Sequence, residues 1–299
     1  MNHLDANKLL SNRQYGFRKG RSTMLQLLKV LDDWTNSLEK GRQINVVYTD
    51  FEKAFDKVPH KRLIEKLRGY GVRGDLLNWI AAFLADRRQR VRVNGKYSGW
   101  SRVVSGIPQG SILGPLLFVI YINDLPEILK GRAAIALFAD DAKIYGEVME
   151  RSDVEIMQGV VDDVDSWCRT WMIKINSAKC KAMTMGGRQN KILCELNMDG
   201  AGQRCALEQV AEIRDLGVLF DMDLTFEEHI NEKINKAYSM LGIIKRNFKY
   251  LDEKSFVMLY KSMVRSHLEH AGAVWYPIKK GLIEAVEKVQ RIESHKDDT

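Results

Sequence analysis

The sequence has four cysteines, Cys168, Cys180, Cys194 and Cys205, and no two of them form a C-x-x-C pair. They are spaced by 12, 14 and 11 residues, and His229 is the nearest downstream histidine, so no zinc-ligand pattern forms. The simpler reading is a reduced, intracellular chain of the nucleus or cytoplasm. Long apolar runs are missing too. The longest, from Ile112 to Ile122, is interrupted by Gly114 and Pro115 and is too short to span a bilayer. The opening MNHLDANKLLSNRQYGFRKG has no apolar stretch of the kind a secretory signal needs. A soluble protein with no membrane partner is predicted. No internal repeat or low-complexity linker divides the chain. Acids are the minority charge, 39 against 46 bases, which leaves a formal net charge of +7. That excess points to a polyanionic partner, nucleic acid first.

What remains is ordinary globular material: 299 residues, 45% hydrophobic and 28% charged, enough for a sizeable core in one or two domains. Thr23–Glu39 sets Leu27, Leu28, Leu31, Trp34 and Leu38 at helical spacing, and Gly41 ends that helix. Ile44–Tyr48 is a β-branched run that predicts a buried strand stopping at Asp50. Pro59 opens a second helix, with Leu63, Ile64 and Leu67 on one face and Gly71 as its end, and a third helix covers Asp75–Leu84. Val91-Arg92-Val93 followed by Asn94-Gly95 predicts a hairpin. Ile112–Asp124 reads as a buried helix. Ala133–Phe138 and Ala142–Tyr145 read as strands of a second hairpin, and Val154–Thr170 as another helix. Strands are expected over Lys181–Met185, Ile192–Met198 and Leu216–Phe220. Helical spacing then runs through residues 229–246, 254–270 and 282–292. A mixed portion thus ends near Phe220 and a helical tail follows, as two packed subdomains.

The second hairpin carries LFADDAK (137–143), with Asp140 and Asp141 at its tip. Alone, such a pair is a solvated turn, and Asp50 is a turn former or cap. If the two strands lie side by side, the three carboxylates converge. Like charges then disfavour joint ionisation unless a hard cation such as Mg²⁺ stands between them.

Ordered blocks resolve the choice. QYGFRKGRST (14–23), VVYTDFEKAFDKVPH (46–60), SGIPQGSILGPLLFVIYINDLP (105–126), LFADDAKIY (137–145), WMIKINSAKCKAM (171–183) and RDLGVLFDMDLTFEEHI (214–230) follow one another over nearly the whole chain. In order, spacing and content the sequence resembles the reverse transcriptases of non-LTR retrotransposons, of the LINE-like jockey/CR1 type. The resemblance implies an α+β fold: a right-hand polymerase palm, an antiparallel sheet with packed helices, with partial fingers and a helical C-terminal thumb. Fingers would cover residues 1–45, the palm 46–220 with a fingers-like insertion at about 60–104, and the thumb-like region 221–299. It also implies an RNA-directed DNA polymerase that adds dNTPs to the 3′-hydroxyl of a DNA primer on an RNA template.

Carried over residue by residue, the resemblance makes Asp50, Asp140 and Asp141 the catalytic metal-binding carboxylates, with the Phe51 carbonyl completing the shell of two Mg²⁺ ions, or Mn²⁺ as a substitute. Phe55 would lie beneath the incoming sugar and clash with a 2′-hydroxyl; its bland reading is a core aromatic. That gate argues against a palm enzyme acting on ribonucleotides. Gly106 and Gly110 would let backbone pass close to template and nucleotide, and Gln109 would touch the nucleotide or its templating partner. Ser105 and Ser111 read as structural turn residues. Lys179 stands where similar enzymes keep a lysine near the departing pyrophosphate, or is a surface lysine. Asp56 reads as a helix-capping acid. Arg18, Lys19 and Arg21, beside Tyr15 and Phe17, and Arg87, Arg88 and Arg90 fit phosphates of an RNA–DNA hybrid, read by shape and backbone. Lys233, Lys236, Lys245, Arg246 and Lys249 would grip the primer side. Thirteen residues precede Gln14, where the family has an upstream stretch of fingers. The chain is therefore expected to be an N-terminally truncated member without endonuclease domain or zinc knuckle. The alternative reading is a catalytically inactive relic that only binds nucleic acid.

Overall fold

Ser22 starts the first long helix. Its hydroxyl accepts the Leu25 N–H at 3.1 Å and opens α1, Thr23–Glu39. Gly41 then turns the chain at a φ of +72° into β1, Gln43–Thr49. In the computed structural model, residues 2–186, 197–200 and 203–291 are described. They divide into two units, Met1–Gln26 with Asp33–Val210, and Leu27–Asp32 with Ala211–Thr299.

In the first unit the helices α2 (His60–Gly69), α3 (Gly74–Leu84) and α4 (Leu113–Ile122) precede the hairpin β2 (Ala134–Phe138) and β3 (Asp141–Val148). Helix α5 (Arg151–Trp171), β4 (Lys181–Met185) and the short β5 (Glu208–Gln209) complete the frame. The sheet order is β5-β4-β1-β3-β2, with β1 antiparallel to both β3 and β4. The run with the most β-branched character thus takes the centre, where both its edges are paired. Register separates two faces. Val47 pairs Ile144 and Thr49 pairs Ala142, facing the helices, where Leu117, Phe118, Val160 and Val164 close the main core. Val46 pairs Tyr145 and Tyr48 pairs Lys143 on the other face, where Trp34 meets the Tyr145 ring edge-on at 5.9 Å.

Helix α4 is apolar all round, and every residue from Leu117 to Ile122 is buried, as its unbroken hydrophobic run predicts. Helix α5 starts with a capping box in which Asp153 accepts the Met149 and Glu150 N–H groups. Between α2 and α4, Lys66 is buried among three rings, 3.7 Å from Trp171, 4.8 Å from Trp167 and 5.1 Å from Tyr121. It donates to Asp124 and to the Tyr121 carbonyl, both at 2.5 Å. Burial draws its pKa down to about 8 against the pull of Asp124. The predicted Asn94-Gly95 hairpin is present: Arg92–Val93 pairs Lys96–Tyr97, with φ of +48° and +80° at the two turn residues.

In the second unit β6 (Glu212–Asp215) and β7 (Val218–Asp221) form a hairpin turned at Leu216-Gly217. The strand expected over Leu216–Phe220 therefore begins two residues late, because its first two residues make the turn. The Asp221 carboxylate accepts the N–H groups of Asp223, Thr225 and Phe226 and leads into α6, Glu227–Asn247. That helix buries Ile230, Ile234, Ala237, Leu241 and Ile244 at alternating steps of four and three.

Residues 254–270 are not one regular helix. Helix α7 (Glu253–Leu259) gives way to a π-helical stretch, Tyr260–Arg265. Phe256, Tyr260, Val264 and Leu268 are all buried, each four residues apart. A step of four overshoots a 3.6-residue turn by about 40°. A wider turn keeps all four on one face. Helix α8, Lys280–Arg291, closes the described chain. Of the strand expected over Ile192–Met198, residues 192–196 lie outside the described residues, and Asn197–Gly200 is strand. Among the described residues no helix is long and apolar enough to cross a membrane.

Candidate active site

The β1–β3 register brings the acids together. Thr49 pairs Ala142, and its hydroxyl donates to the Ala142 carbonyl at 3.0 Å. The next residue on each strand is acidic: Asp50 beyond Thr49, Asp141 before Ala142. They follow the alternation of Val46–Tyr145 and Tyr48–Lys143, so both fall on the same face of the sheet. Asp140 stands in the two-residue loop between paired Phe138 and Asp141, after Ala139 in the left-handed region at φ +54°. Burial, and then the charge of Asp50, hold the Asp140 carboxyl above the usual carboxylate range.

The turn after α5 fixes Asp50 from behind. Asp50 N–H donates to the Cys180 sulfur at 3.4 Å, and Asn176 N–H donates to the Asp50 carbonyl at 2.8 Å. Glu52 N–H reaches the Lys174 carbonyl at 2.7 Å, so Phe51 and Ile175 face each other in an antiparallel bridge. In that pattern the peptide groups of Phe51 itself take no part in the bridge and turn toward the β3 side. Cys180 is buried and its thiol pKa is pushed up to about 11 by burial, which suits a structural acceptor and not a nucleophile.

Phe55 is half-buried. It stacks on Phe118 at 4.3 Å and meets the exposed Phe17 edge-on at 6.5 Å. Residues 105–110 dock against the segment that carries it. Gly106 N–H donates to Val58 O at 2.8 Å, Ile107 N–H to Phe55 O at 2.7 Å, and Ser105 Oγ to Asp56 O at 3.1 Å. A Cβ on Gly106 would lie 2.5 Å from the Asp56 carbonyl oxygen, which explains the glycine. Asp56 lies within the short helix Ala54–Lys57 and accepts from Gln109 Nε2 at 3.0 Å. It is therefore a loop anchor and not the predicted cap, because Pro59 and not Asp56 precedes α2. Ser111 does act as a turn residue, bonded to Pro108 O and Gly114 N.

Residues 1–251 match the family model described as reverse transcriptase (RNA-dependent DNA polymerase). The chain belongs to the reverse transcriptase family. It is 26% identical, over 96% of its length, to the probable RNA-directed DNA polymerase from transposon BS of Drosophila melanogaster, and covers 32% of that protein. It is 30% identical to the RNA-directed DNA polymerase from mobile element jockey of Drosophila funebris, over 88% of this chain and 29% of that one. The chain thus spans about a third of the length of these relatives. Among solved structures, a telomerase from Candida albicans, in complex with a fragment of telomeric RNA, aligns with a TM-score of 0.53 at 8% identity. That alignment covers 97% of this chain and 55% of the other. Apo telomerase from Candida tropicalis gives 0.51 at 9% identity, over 97% and 52%. These two share the fold, and the α+β palm expected from the sequence agrees with them.

Reverse transcriptases use divalent metal ions. Among the described residues no three side chains of His, Cys, Asp or Glu close into a metal-holding group. The acids of this reverse-transcriptase fold instead share one open end of the sheet. Lys179 is exposed in the turn that ends at Cys180, its N–H on Asn176 O at 2.9 Å. Of the basic residues, Arg18 donates to Ser11 O at 3.0 Å and Arg21 lies 4.7 Å over the Tyr15 ring, while Lys19 is exposed. Arg87, Arg88 and Arg90 belong to the exposed hairpin segment, where Arg90 packs on Tyr97 at 3.9 Å and Trp100 at 4.5 Å. These two basic groups lie on different segments of the chain. Lys233, Lys236, Lys245 and Arg246 lie on α6, with Lys249 just beyond it, in the other unit.

Sequence reasoning missed Cys180 and Gln14. The first is hidden in a block read only for Lys179. Gln14 is 1% exposed and bonds to Ala139 of the acidic hairpin. Its signal in the sequence is that the glutamine heads the block QYGFRKGRST.

Proposed function

We propose that this chain is the catalytic core of an RNA-directed DNA polymerase of a non-LTR retrotransposon, extending a primer 3′-hydroxyl with dNTPs on an RNA template. One observation carries the reading: Asp50, Asp140 and Asp141 lie at the same end of the paired strands β1 and β3, and the charge of Asp50 acts on Asp140. Repulsion between acids held this firmly is what a hard cation relieves. Asp50, Asp140, Asp141 and the Phe51 carbonyl would hold two Mg²⁺ ions. Such a pair supplies charge stabilisation at the attacking and leaving oxygens of an in-line displacement.

The chain's own residues do the rest. Phe55, braced by Phe118, presents a ring that excludes a 2′-hydroxyl and selects deoxynucleotides. Gln109, tied through its amide N–H to Asp56, offers its carbonyl to the nucleotide, and Gly110 leaves open space for close backbone approach. Lys179 neutralises or protonates the departing pyrophosphate. Arg18, Lys19, Arg21, Arg87, Arg88 and Arg90 hold phosphates of the template and primer. In this reading residues 1–45 belong to the fingers, 46–220 to the palm and 221–299 to the thumb. The relic reading is weaker, because every acid that the chemistry needs is present and held by backbone.

Incorporation of labelled dNTPs on an RNA template with an annealed DNA primer tests the reading. The chain is expected to extend the primer in Mg²⁺ and, less selectively, in Mn²⁺, and Asp140→Asn to fall to background. Equal incorporation by the two proteins would sink the proposal.

A further inference from the structure

Residues 13–16 lie along the outer edge of β2. Leu137 N–H donates to Arg13 O at 2.9 Å, Tyr15 N–H to Leu137 O at 2.8 Å, and Gln14 bridges Leu137 in parallel. The Gln14 side chain then reaches past the end of that pairing into the acidic loop. Its Oε1 accepts the Ala139 N–H at 3.0 Å and the Gly16 N–H at 2.7 Å, and its Nε2 faces the Ala139 carbonyl at 3.4 Å. One carboxamide thus grips both peptide groups of Ala139, the residue immediately before Asp140.

Ala139 needs such a grip. At φ +54° it occupies a region that L-residues with a Cβ seldom enter, and alanine has no polar side chain to hold itself there. A glycine would take that conformation unaided. The backbone of Gly16 closes the other side: a Cβ there would lie 2.3 Å from the Ala139 nitrogen. The hairpin tip is therefore clamped between a buried amide and a bare glycine backbone.

We propose that Gln14 is a positioning residue for the catalytic hairpin: by holding Ala139 left-handed it fixes the direction of the Asp140 carboxylate. The proposal rests on the polymerase reading, in which the direction of Asp140 sets the rate. Gln14 touches no reacting atom, so its removal acts on turnover and not on nucleotide binding.

The test compares Gln14→Met, Ala139→Gly and the double variant in RNA-templated primer extension, each checked by thermal melting. Gln14→Met is expected to lower kcat by roughly ten- to a hundredfold, as a displaced catalytic group does, with the KM for dNTP unchanged. Adding Ala139→Gly is expected to restore at least part of that loss, because glycine holds the turn without the amide. A general packing role predicts no such rescue. Should the methionine variant not fold, Gln14→Asn, which keeps the amide but withdraws it by one methylene, is expected to give the same pattern. Unchanged kcat in a folded Gln14 variant, or a loss that Ala139→Gly leaves untouched, overturns the proposal. Turnover by the unsubstituted chain separately tests the polymerase reading. In a chain without turnover, amide hydrogen exchange decides for Gln14. Ala139 and Gly16 are expected to exchange slowly in the parent and fast in Gln14→Met, and equal rates overturn the clamp.

Discussion

Asp140 sits half-buried beside Asp50, so without a cation its charge works against the fold. Its carboxyl is held above the unfolded range, so unfolding releases a proton at pH values between the two. That cost to stability applies above the folded pKa and disappears as pH falls through it. Asp140→Asn is therefore expected to melt slightly later than the parent at pH 7 in chelator. The difference should vanish in acid, and added Mg²⁺ should raise the parent melting temperature more than that of the variant. Phe55 poses the opposite trade. Phe55→Ala removes a ring stacked at 4.3 Å on Phe118 and should cost about 2–4 kcal/mol. In the same variant, incorporation of ribonucleotides is expected to rise relative to deoxynucleotides. Competition between the two nucleotide classes on one template measures that ratio, and an unchanged ratio would return Phe55 to the status of a core aromatic.

At the scale of elements, the docked loop 105–110 is the vulnerable part. Gly106→Ala places a Cβ against the Asp56 carbonyl at a φ of +91°. The substitution is expected to cost more than about 2 kcal/mol and to raise the KM for dNTP by loosening Gln109. Thermal melting and nucleotide titration check both. Most elements were legible because a local signal marks each one. Apolar periodicity marks α1 and α6, the β-branched run marks β1, and Asn94-Gly95 marks its hairpin. The hairpin that carries the acidic tip was legible locally, whereas a chemical role for its acids is suggested only by the ordered blocks around it. The π-helical stretch 260–265 was not legible, since steps of four and of 3.6 look alike over two turns. Nor were the partners of Gln14 and Asp56, which lie 125 and 53 residues away. Such contacts are set by the way the chain folds back, and no window of sequence contains them.

Across the whole molecule, two bulk properties follow from the charge and from one histidine. With a net charge of +7, binding to an RNA–DNA hybrid should weaken steeply with salt. Replacing Arg87, Arg88 and Arg90 with alanine is expected to reduce the slope of log affinity against log salt by about 2 to 3, if each meets a phosphate. An unchanged slope would remove that hairpin from the nucleic-acid surface. His229 is fully buried, accepts the Leu219 N–H at 3.0 Å on Nδ1 and meets Trp275 edge-on. Burial, then Lys233, draws its pKa down to about 4. The unfolded chain binds that proton near pH 6.5, so stability is complete above 6.5 and declines as pH falls toward 4, by about 3 kcal/mol in all. Denaturant midpoints measured from pH 7 to 4.5 should show the decline, and His229→Asn should flatten it.

Asp50 stands at the end of β1, and β1 is bonded along both edges, to β3 and to β4. Local opening proceeds from places where few bonds must break, which is why mobile loops exchange their amide protons long before core strands do. To release the backbone under Asp50, two ladders must separate together. In the proposed reading Asp50 is thus anchored to a strand paired on both sides, while its partner Asp140 hangs on a hairpin tip that a glutamine restrains. Native-state exchange should rank the Val46 and Val47 amides near the limit of global unfolding, with Ala139 well below them. One side of this centre is carried by a double ladder and the other by a clamped turn.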